Sequence, residues 1–157
     1  MEYFVIARVV HVLAVVIWIG GVAMVTMVLI PAIKRFKSND EKSDIFTRIE
    51  SKFSTVAKHA TLLTGISGFY MLYVMNAWDR YLDIRYWWVH GMTLLWLIFT
   101  LILFVLEPLV LHKIFQKYVK IDTVRTFKIM HTAHWILLIL SLITMAGAVA
   151  GAHGWLI

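Results

Sequence analysis

The sequence predicts an all-α integral membrane protein, a four-helix up-down-up-down bundle that forms one transmembrane domain over residues 1–157. The chain is 61% hydrophobic and has a mean hydropathy of +0.81, which is too apolar for a soluble globule of this size. Four stretches without Asp, Glu, Lys or Arg each reach the length that crosses a bilayer: residues 9–33, 59–78, 86–106 and 129–157. Because the connections between them are short, neighbouring helices are expected to run antiparallel.

The charged residues indicate the orientation of these helices. Of the 15 Lys and Arg residues, all lie in or beside the first and third connections except Arg8, Arg80 and Arg85. Since cytoplasmic loops are the basic ones, we expect both termini outside, in a bacterial-type inner membrane. Aromatic residues gather at the predicted outer boundary as an interfacial belt would: Trp78, Tyr81, Tyr86, Trp87, Trp88 and Trp155. The net charge of +6 is thus a topology signal and indicates no nucleic-acid partner.

The four spans are placed at about residues 3–33, 53–78, 86–108 and 128–152. The first lacks a basic leader segment and a small-residue cleavage site, which favours a true span over a signal peptide. Ser38 and Glu41 have capping-box spacing, so a helix is expected to restart there and continue into the second span. Residues 76–85 are predicted to form a short outer turn, and residues 111–127 an amphipathic inner helix.

Five of the 7 histidines lie within the predicted spans. Ionisable side chains are costly in hydrocarbon and usually mark function there. Counting 1.5 Å per residue places His11 and His90 towards the outer boundary, and His59, His131 and His134 towards the inner one. Spans one and three are diagonal in such a bundle, as are spans two and four, which leaves room for a flat macrocycle between ligands. We therefore predict two haem b groups, ligated by His11 with His90 and by His59 with His134 or His131.

Neighbouring residues fit the same hypothesis. Arg8 is one turn from His11 and Arg85 precedes His90, so both are candidates to bind haem propionates. Lys58, Arg125 and Lys128 are candidates at the inner site, although surface cations explain all five positions equally well. Small residues offer space for a porphyrin, or else allow close helix packing: Gly20, Gly21, Ala60, Thr64, Gly65, Gly68, Gly91 and Ala133. His112 and His153 fall at span ends and are expected to be interfacial.

The residue types also bear on other cofactors. The absence of cysteine excludes disulfides, iron–sulfur clusters and haem attached through thioethers. A di-iron site needs inward carboxylates, and we expect no Asp or Glu inside the bundle. Copper remains an alternative, because Met24 and Met27 are one turn apart, as are Met71 and Met75, and thioether sulfur binds copper. Hydrogen bonding of the histidines between helices is a further alternative.

One part of the first span resembles a known helix. The run Arg8-Val-Val-His11-Val-Leu-Ala-Val-Val-Ile-Trp18-Ile-Gly20-Gly21 resembles the opening helix of the CopD and HemJ-like membrane families. Thr64-Gly65 is similar to their second helix, and the four-span layout agrees. The resemblance implies His11 as a haem ligand, since HemJ relatives bind haem b and oxidise protoporphyrinogen. CopD relatives are linked to copper uptake.

The third span departs from the HemJ pattern. Trp88-Val-His90-Gly-Met92 keeps the Trp and His of the HemJ Trp-x-His-x-Lys element but has methionine at the lysine position. This departure disfavours protoporphyrinogen oxidase activity. The additional His59 and His134 make the layout similar to small four-helix di-haem cytochromes b, which exchange electrons with quinone.

The sequence therefore favours a membrane b-type cytochrome with two bis-histidine haems. Iron with two imidazole ligands has no open position, so electron transfer is favoured over chemistry at the metal. Electrons would pass across the membrane, or between a quinone and a redox protein partner, and any enzymatic activity would be that of a quinone-linked oxidoreductase. The alternatives are a HemJ-like oxidase with one haem, a CopD-like copper transporter and a cofactor-free structural subunit. A homo-oligomer or a subunit of a larger membrane complex is compatible with each.

Overall fold

The computed structural model describes residues 2–155, without the side chains of Leu111 and His112. All regular elements in this range are helical. Three stretches are long and apolar enough to cross a membrane: Glu2–Ile33, Ile84–Val110 and Thr123–Ala152. The predictions of an all-α protein with apolar helices of membrane-spanning length are confirmed to this extent.

The first apolar stretch changes its helical register before it ends. Helix α1 (Glu2–Met24) continues into a π-helical segment (Val25–Leu29) and then into the short helix α2 (Ile30–Ile33). The backbone N–H of Ile30 donates to the carbonyl of Val25, five residues earlier. Pro31 follows and has no N–H, so the carbonyl next in this register, that of Thr26, loses its helical donor. The sequence placed Pro31 within the span but did not predict the π-helical segment.

Helix α3 (Asn39–Val74) confirms the predicted long second helix. Its N-cap is Ser38, whose side-chain oxygen accepts a hydrogen bond from the Glu41 backbone N–H at 3.3 Å. The helix ends four residues before the predicted limit at residue 78. The chain turns at Asn76, which has a φ of 49°, a left-handed conformation that asparagine tolerates better than most residues. Two short 3₁₀ turns (Trp78–Leu82 and Ile84–Tyr86) complete the connection.

The second half contains the largest boundary error. Helix α4 (Trp87–Leu101) passes into a π-helical segment (Ile102–Leu111) and then helix α5 (His112–Ile121), and helix α6 spans Thr123–Ala152. The predicted amphipathic helix over residues 111–127 is therefore wrong in extent, because the chain breaks at Asp122. The Asp122 carboxylate accepts a hydrogen bond from the Arg125 backbone N–H at 2.9 Å and caps α6. This cap starts α6 five residues before the predicted fourth span.

The long helices pack in two pairs, α1 along α3 and α4 along α6, which meet through contacts of α3 with α4 and of α1 with α6. We call the end that contains residues 34–38 and α5 the basic end, and the end that contains the turns 78–86 and Trp155 the aromatic end. A buried aliphatic and aromatic cluster fills the basic end: Val25, Leu29, Ile30, Ile33, Phe46, Val119 and Phe127. A second cluster fills the middle: Trp18, Ile19, Val22, Ala60, Phe99 and Leu138.

Candidate functional site

A cavity of about 540 Å³ lies at the aromatic end, lined by residues from α1, α3, α4 and α6. We call it the aromatic-end cavity. Along α1 its lining extends from Phe4 to Ile19, which is about 22 Å at 1.5 Å per residue. Its volume lies within the roughly 300–1,000 Å³ typical of sites for small molecules and cofactors. The basic end is filled by its apolar cluster, so the aromatic-end cavity is the stronger candidate for a cofactor site.

His11 lines this cavity and is held in one orientation. Its Nδ1 lies 3.0 Å from the Thr64 carbonyl oxygen and 3.1 Å from the Ser67 hydroxyl. Because a carbonyl only accepts, Nδ1 carries the proton and Nε2 carries the lone pair. A hydrogen bond of this kind orients imidazoles that bind metals. The His11 ring passes close to Gly68, where a Cβ would lie 3.1 Å from Cε1.

Two buried polar groups in the cavity wall are not hydrogen-bonded. The indole N–H of Trp18 and the hydroxyl of Thr64 have no partner among the described residues, and both residues line the cavity. Trp18 is only 4% exposed and Thr64 only 6%. A buried polar group without a partner costs about 1–3 kcal/mol. A ligand or water in the cavity that accepts a hydrogen bond would remove that cost.

The cavity wall also carries soft and cationic side chains. Arg8 and Arg80 both contribute to the lining, and the Arg80 guanidinium lies 5.2 Å from the centre of the Tyr86 ring. The sequence singled out Arg8 but not Arg80, because Arg80 is in the turn and is brought to the cavity by the fold. Four methionines on three helices line the same space: Met71, Met75, Met92 and Met145.

Both ring nitrogens of His90 lie beside backbone carbonyls, whereas His11 lines the aromatic-end cavity. The Nε2 of His90 lies 3.1 Å from the carbonyl of Tyr81, and its Nδ1 lies 3.2 Å from the carbonyl of Tyr86. The described cavity lining includes His11 and His153 but not His90. For His90 to bind a metal, its ring would have to leave at least one of these carbonyls. The His11–His90 pair therefore remains a prediction.

Arg85 is likewise engaged elsewhere. Its guanidinium forms a 2.6 Å ion pair with the carboxylate of Asp83. The Arg85 side chain and backbone N–H, by hydrogen bonding to this carboxyl, hold its pKa below the usual range. Arg85 is exposed at the aromatic end, so Arg8 and Arg80, which line the cavity, are better placed than Arg85 to meet a ligand there.

His59 and His134 share one local geometry. The Nδ1 of His59 donates to the Thr55 carbonyl at 2.8 Å, and the Nδ1 of His134 donates to the Met130 carbonyl at 2.9 Å. Each ring thus keeps the lone pair on Nε2. His59 is exposed on the outside of α3, whereas His134 is half-buried. The tautomer suits a metal ligand in both cases, but the exposure of His59 gives the predicted inner pair weaker support.

His131 has a structural partner that explains its position. Its Nδ1 lies 2.9 Å from the Lys34 ammonium, which can only donate, so the ring proton is on Nε2. Nε2 in turn donates to the Thr26 carbonyl at 2.9 Å, the carbonyl that Pro31 leaves without a helical donor. The Trp135 indole N–H also lies 3.1 Å from Nε2, but it cannot donate to a protonated nitrogen. Both ring nitrogens are therefore occupied within the protein.

The expectation that no carboxylate lies inside the bundle is wrong. Glu107 lies within the apolar stretch Ile84–Val110. Its two carboxylate oxygens lie 2.6 and 2.5 Å from the Ser54 hydroxyl, and one is 3.3 Å from the Lys58 ammonium. The sequence analysis placed Glu107-Pro108 at the end of the span and overlooked this interhelical contact. No group of three or more His, Asp or Glu residues within the described residues is arranged to hold a metal ion.

Glu50 lies near this contact and gives a testable pH dependence. Burial, together with the Glu107 carboxylate, raises the pKa of Glu50 from 4.5 to about 7, while Lys58 opposes the shift. The contribution of protonated Glu50 to the free energy of unfolding is therefore complete below about pH 4.5. It is lost as the pH rises to about 7, because the unfolded chain releases this proton more readily than the folded protein does. Glu50→Gln is expected to raise the free energy of unfolding by on the order of 1–3 kcal/mol at about pH 8 and to change it little at about pH 4. Denaturant unfolding in detergent at both pH values measures this.

Asp44→Asn is the matched control, because Asp44 is an exposed carboxyl on the same helix. It is expected to leave the difference between the two pH values unchanged. If Glu50→Gln stabilises the protein equally at both pH values, the raised pKa of Glu50 is not the cause.

Two of the predicted small residues serve close packing. A Cβ at Gly65 would lie 2.5 Å from the Trp96 ring, and a Cβ at Gly21 would overlap the Phe53 ring. The Trp96 indole N–H donates to the Thr61 carbonyl at 2.9 Å, which fixes the ring against α3. At Gly20, in contrast, a Cβ would meet no atom within 4 Å. The close-packing interpretation therefore holds at Gly21 and Gly65.

The remaining predicted residues lie near the ends of helices α5 and α6. Arg125 and Lys128 are exposed near the start of α6, and His153 is exposed at its end. The side chain of His112 is outside the described part of the chain.

No protein-family model, curated protein or solved structure matches this chain. The functional argument therefore depends on the geometry of its own residues.

Proposed function

We propose that the chain is an integral membrane b-type cytochrome, an up-down-up-down four-helix bundle that transfers electrons. Three helical stretches are long and apolar enough to cross a bilayer, and the fourth span would be the uncharged part of α3, from residue 59 to its end. Contacts link α1 to α3, α3 to α4, α4 to α6 and α6 to α1. This pattern supports a bundle in which consecutive spans are neighbours. The distribution of basic residues supports both termini outside a bacterial-type inner membrane.

One observation carries the cofactor assignment. His11 lines a cavity of cofactor size, and its Nδ1 is bound to the Thr64 carbonyl, which leaves Nε2 as the free ligand atom. Neutral imidazole with a fixed orientation is the usual axial ligand of b-type haem. His11 would therefore hold haem b in the aromatic-end cavity.

The other lining residues fit a bound haem. Arg8 and Arg80 would bind the propionates, and the mostly apolar wall would enclose the macrocycle. When bound, haem supplies one-electron redox chemistry. The protein's own contribution would be to orient His11 through Thr64 and Ser67, to neutralise the propionates and to exclude water. A quinone or a redox protein would exchange electrons with this site.

A second haem at the basic end remains part of the proposal, with His59 and His134 as its ligands. Both imidazoles keep the lone pair on Nε2. His131 is a weaker candidate than His134, because both of its nitrogens are occupied. The number of haems per chain therefore separates a two-haem cytochrome from a protein with one haem in the aromatic-end cavity.

The first test is a dithionite-reduced minus oxidised absorption spectrum of the purified chain, with haem counted per polypeptide as the pyridine haemochrome. Low-spin b-type bands with about two haems per chain are expected from two bis-histidine sites. A count of one would remove the basic-end site and leave a single-haem protein, for which activity on a porphyrinogen then tests the HemJ-like alternative. Absence of haem from protein produced with ample haem supply would refute the cytochrome proposal.

Copper is the second candidate, and a specific observation favours it. The aromatic-end cavity collects His11 and the four methionines Met71, Met75, Met92 and Met145 from all four long helices. Thioether and imidazole ligands suit Cu(I), although methionine also fills irregular gaps in apolar cores. Protein purified without haem should then bind Cu(I), and the combined Met71→Leu and Met75→Leu substitutions should weaken that binding. A haem-loaded protein whose spectrum is unchanged by these substitutions would argue against copper.

A further inference from the structure

Helix α5 presents three different faces along its ten residues. At 100° per residue, Phe115 and Val119 lie on one face. Ile114, Tyr118 and Ile121 lie on a second face, centred about 120° from the first. Lys113, Lys117 and Lys120 lie on the third. The helix is therefore strongly amphipathic, yet it has an apolar face beyond the one that packs on the protein.

The packed face of α5 is fixed by aromatic contacts. The Phe115 ring lies 5.3 Å from that of Phe46 and 5.9 Å from that of Phe127. Val119 is buried in the same cluster. These contacts fix the rotation of α5, so that the other two faces must point away from the bundle.

The second face is apolar and exposed. Ile114 is 45% exposed, Tyr118 52% and Ile121 69%. The three lysines beside it are exposed as well. The Lys117 ammonium lies 5.9 Å from the centre of the Tyr118 ring. An apolar strip bordered by cations matches the boundary of an anionic lipid layer, where side chains enter the acyl region and ammonium groups meet phosphates.

The position of α5 agrees with this environment. The stretch Ile84–Val110 ends just before α5, and the stretch Thr123–Ala152 begins just after it. A helix that directly connects two spans at the same membrane face begins and ends at the membrane boundary. This step depends on the membrane insertion in the proposed function, but not on haem.

We propose that α5 is an interfacial helix that binds the head groups of anionic phospholipids through Lys113, Lys117 and Lys120, with Ile114, Tyr118 and Ile121 in the acyl layer. Each lysine near an anionic surface contributes about fivefold in affinity, so three give roughly a 100-fold preference. The lipid would thereby hold the α5 connection, and with it the start of α6, against the membrane.

The test uses the full chain purified in detergent, with dioctanoyl phosphatidylglycerol as the anionic probe and dioctanoyl phosphatidylcholine as the zwitterionic one. Thermal unfolding is followed as each lipid is titrated. The expected result is stabilisation by phosphatidylglycerol at concentrations at least tenfold lower than by phosphatidylcholine. The variant carrying Lys113→Gln, Lys117→Gln and Lys120→Gln should lose this preference.

A matched triple variant removes the same charge from the same end of the protein: Arg35→Gln, Lys37→Gln and Lys52→Gln, all exposed positions. It is expected to retain most of the preference. Equal stabilisation of the unchanged protein by the two lipids would overturn the proposal, as would an equal loss in both triple variants. A change in oligomeric state in the α5 variant without a change in lipid response would instead identify a protein interface. Failure to fractionate with membranes would refute the insertion step itself.

Discussion

Replacing His11 by alanine is expected to remove the proposed haem from the aromatic-end cavity, with a loss of about one haem per chain. The reason is local: His11 is the histidine whose Nδ1 is fixed by an adjacent helix, at 3.0 Å from the Thr64 carbonyl, while its ring lines a cofactor-sized space. Alanine would remove the proposed metal ligand and leave Thr64 and Ser67 with no imidazole to orient. The measurement is the pyridine haemochrome count per polypeptide, combined with the reduced-minus-oxidised spectrum.

Three further histidine variants make this result specific. His134→Ala should spare the haem held by His11 if there are two sites, and should have no effect on haem content if there is one. His90→Ala tests whether a ring now held by the carbonyls of Tyr81 and Tyr86 becomes a ligand when haem binds. His153→Ala tests the other histidine that lines the cavity. Loss of all haem from each single variant would contradict independent sites.

A conservative change separates ligation from folding. Ser67→Ala keeps the imidazole of His11 but removes a hydroxyl 3.1 Å from its Nδ1. We expect this variant to retain haem and to shift the reduction potential, because partners of an axial imidazole tune its basicity. If His11→Ala and Ser67→Ala lose haem equally, the loss reflects a disturbed contact between α1 and α3 and not the removal of a ligand.

The helices were largely predictable because their signals are local. Uncharged stretches of sufficient length, the capping-box spacing of Ser38 and Glu41, and the turn near Asn76 each follow from a few adjacent residues. The break at Asp122 was missed although it too is local, because the apolar periodicity of residues 111–127 continues through it. Apolar periodicity indicates which face of a helix is buried. It does not reveal that a single residue, Asp122, ends one helix and caps the next with its side chain.

The candidate site was predictable only in part, because it depends on how helices rotate against each other. His11 was identified from its depth and its motif, and the structure places it in the cavity wall. The orientation of His90 towards two carbonyls depends on the 3₁₀ turns that carry Tyr81 and Tyr86, and turns of this kind have weak sequence signals. The contact of Glu107 with Ser54 joins residues 53 positions apart in the sequence, and Arg80 shares the cavity wall with residues as distant as Arg8. No spacing rule reaches that far.

The role of His131 is the most informative case, because its sequence signal was Pro31, 100 positions earlier. A proline in an apolar helix frees a carbonyl, and in hydrocarbon a neighbouring helix must satisfy it. In this π-helical register the carbonyl without a helical donor is that of Thr26, and it accepts a hydrogen bond from His131 Nε2 at 2.9 Å. Depth alone suggested a haem ligand. The pairing with a freed carbonyl gives the same histidine a structural reason to be there.

This explanation predicts a rescue. His131→Ala is expected to lower the free energy of unfolding by on the order of 1–3 kcal/mol, because the Thr26 carbonyl loses its donor. In the Pro31→Ala background the same substitution should cost much less, since position 31 then has a backbone N–H for that carbonyl. Denaturant unfolding of the four proteins gives the coupling energy directly. Haem content, measured in parallel, should not change in any of them.

Thr132→Ala serves as the control, because Thr132 is exposed on the same helix and has no part in the proposed haem sites. Its cost should be within about 0.5 kcal/mol in either background. If His131→Ala lowers the free energy of unfolding equally with and without Pro31, the hydrogen bond of His131 to the Thr26 carbonyl is not the reason for the loss. A fall of about one haem per chain in His131→Ala would make His131 the basic-end ligand. A loss of stability that Pro31→Ala does not rescue would thus indicate a structural role other than bonding the Thr26 carbonyl, and a loss of haem would indicate a ligand. The four-protein cycle distinguishes both outcomes from the hydrogen bond to the Thr26 carbonyl that the structure indicates.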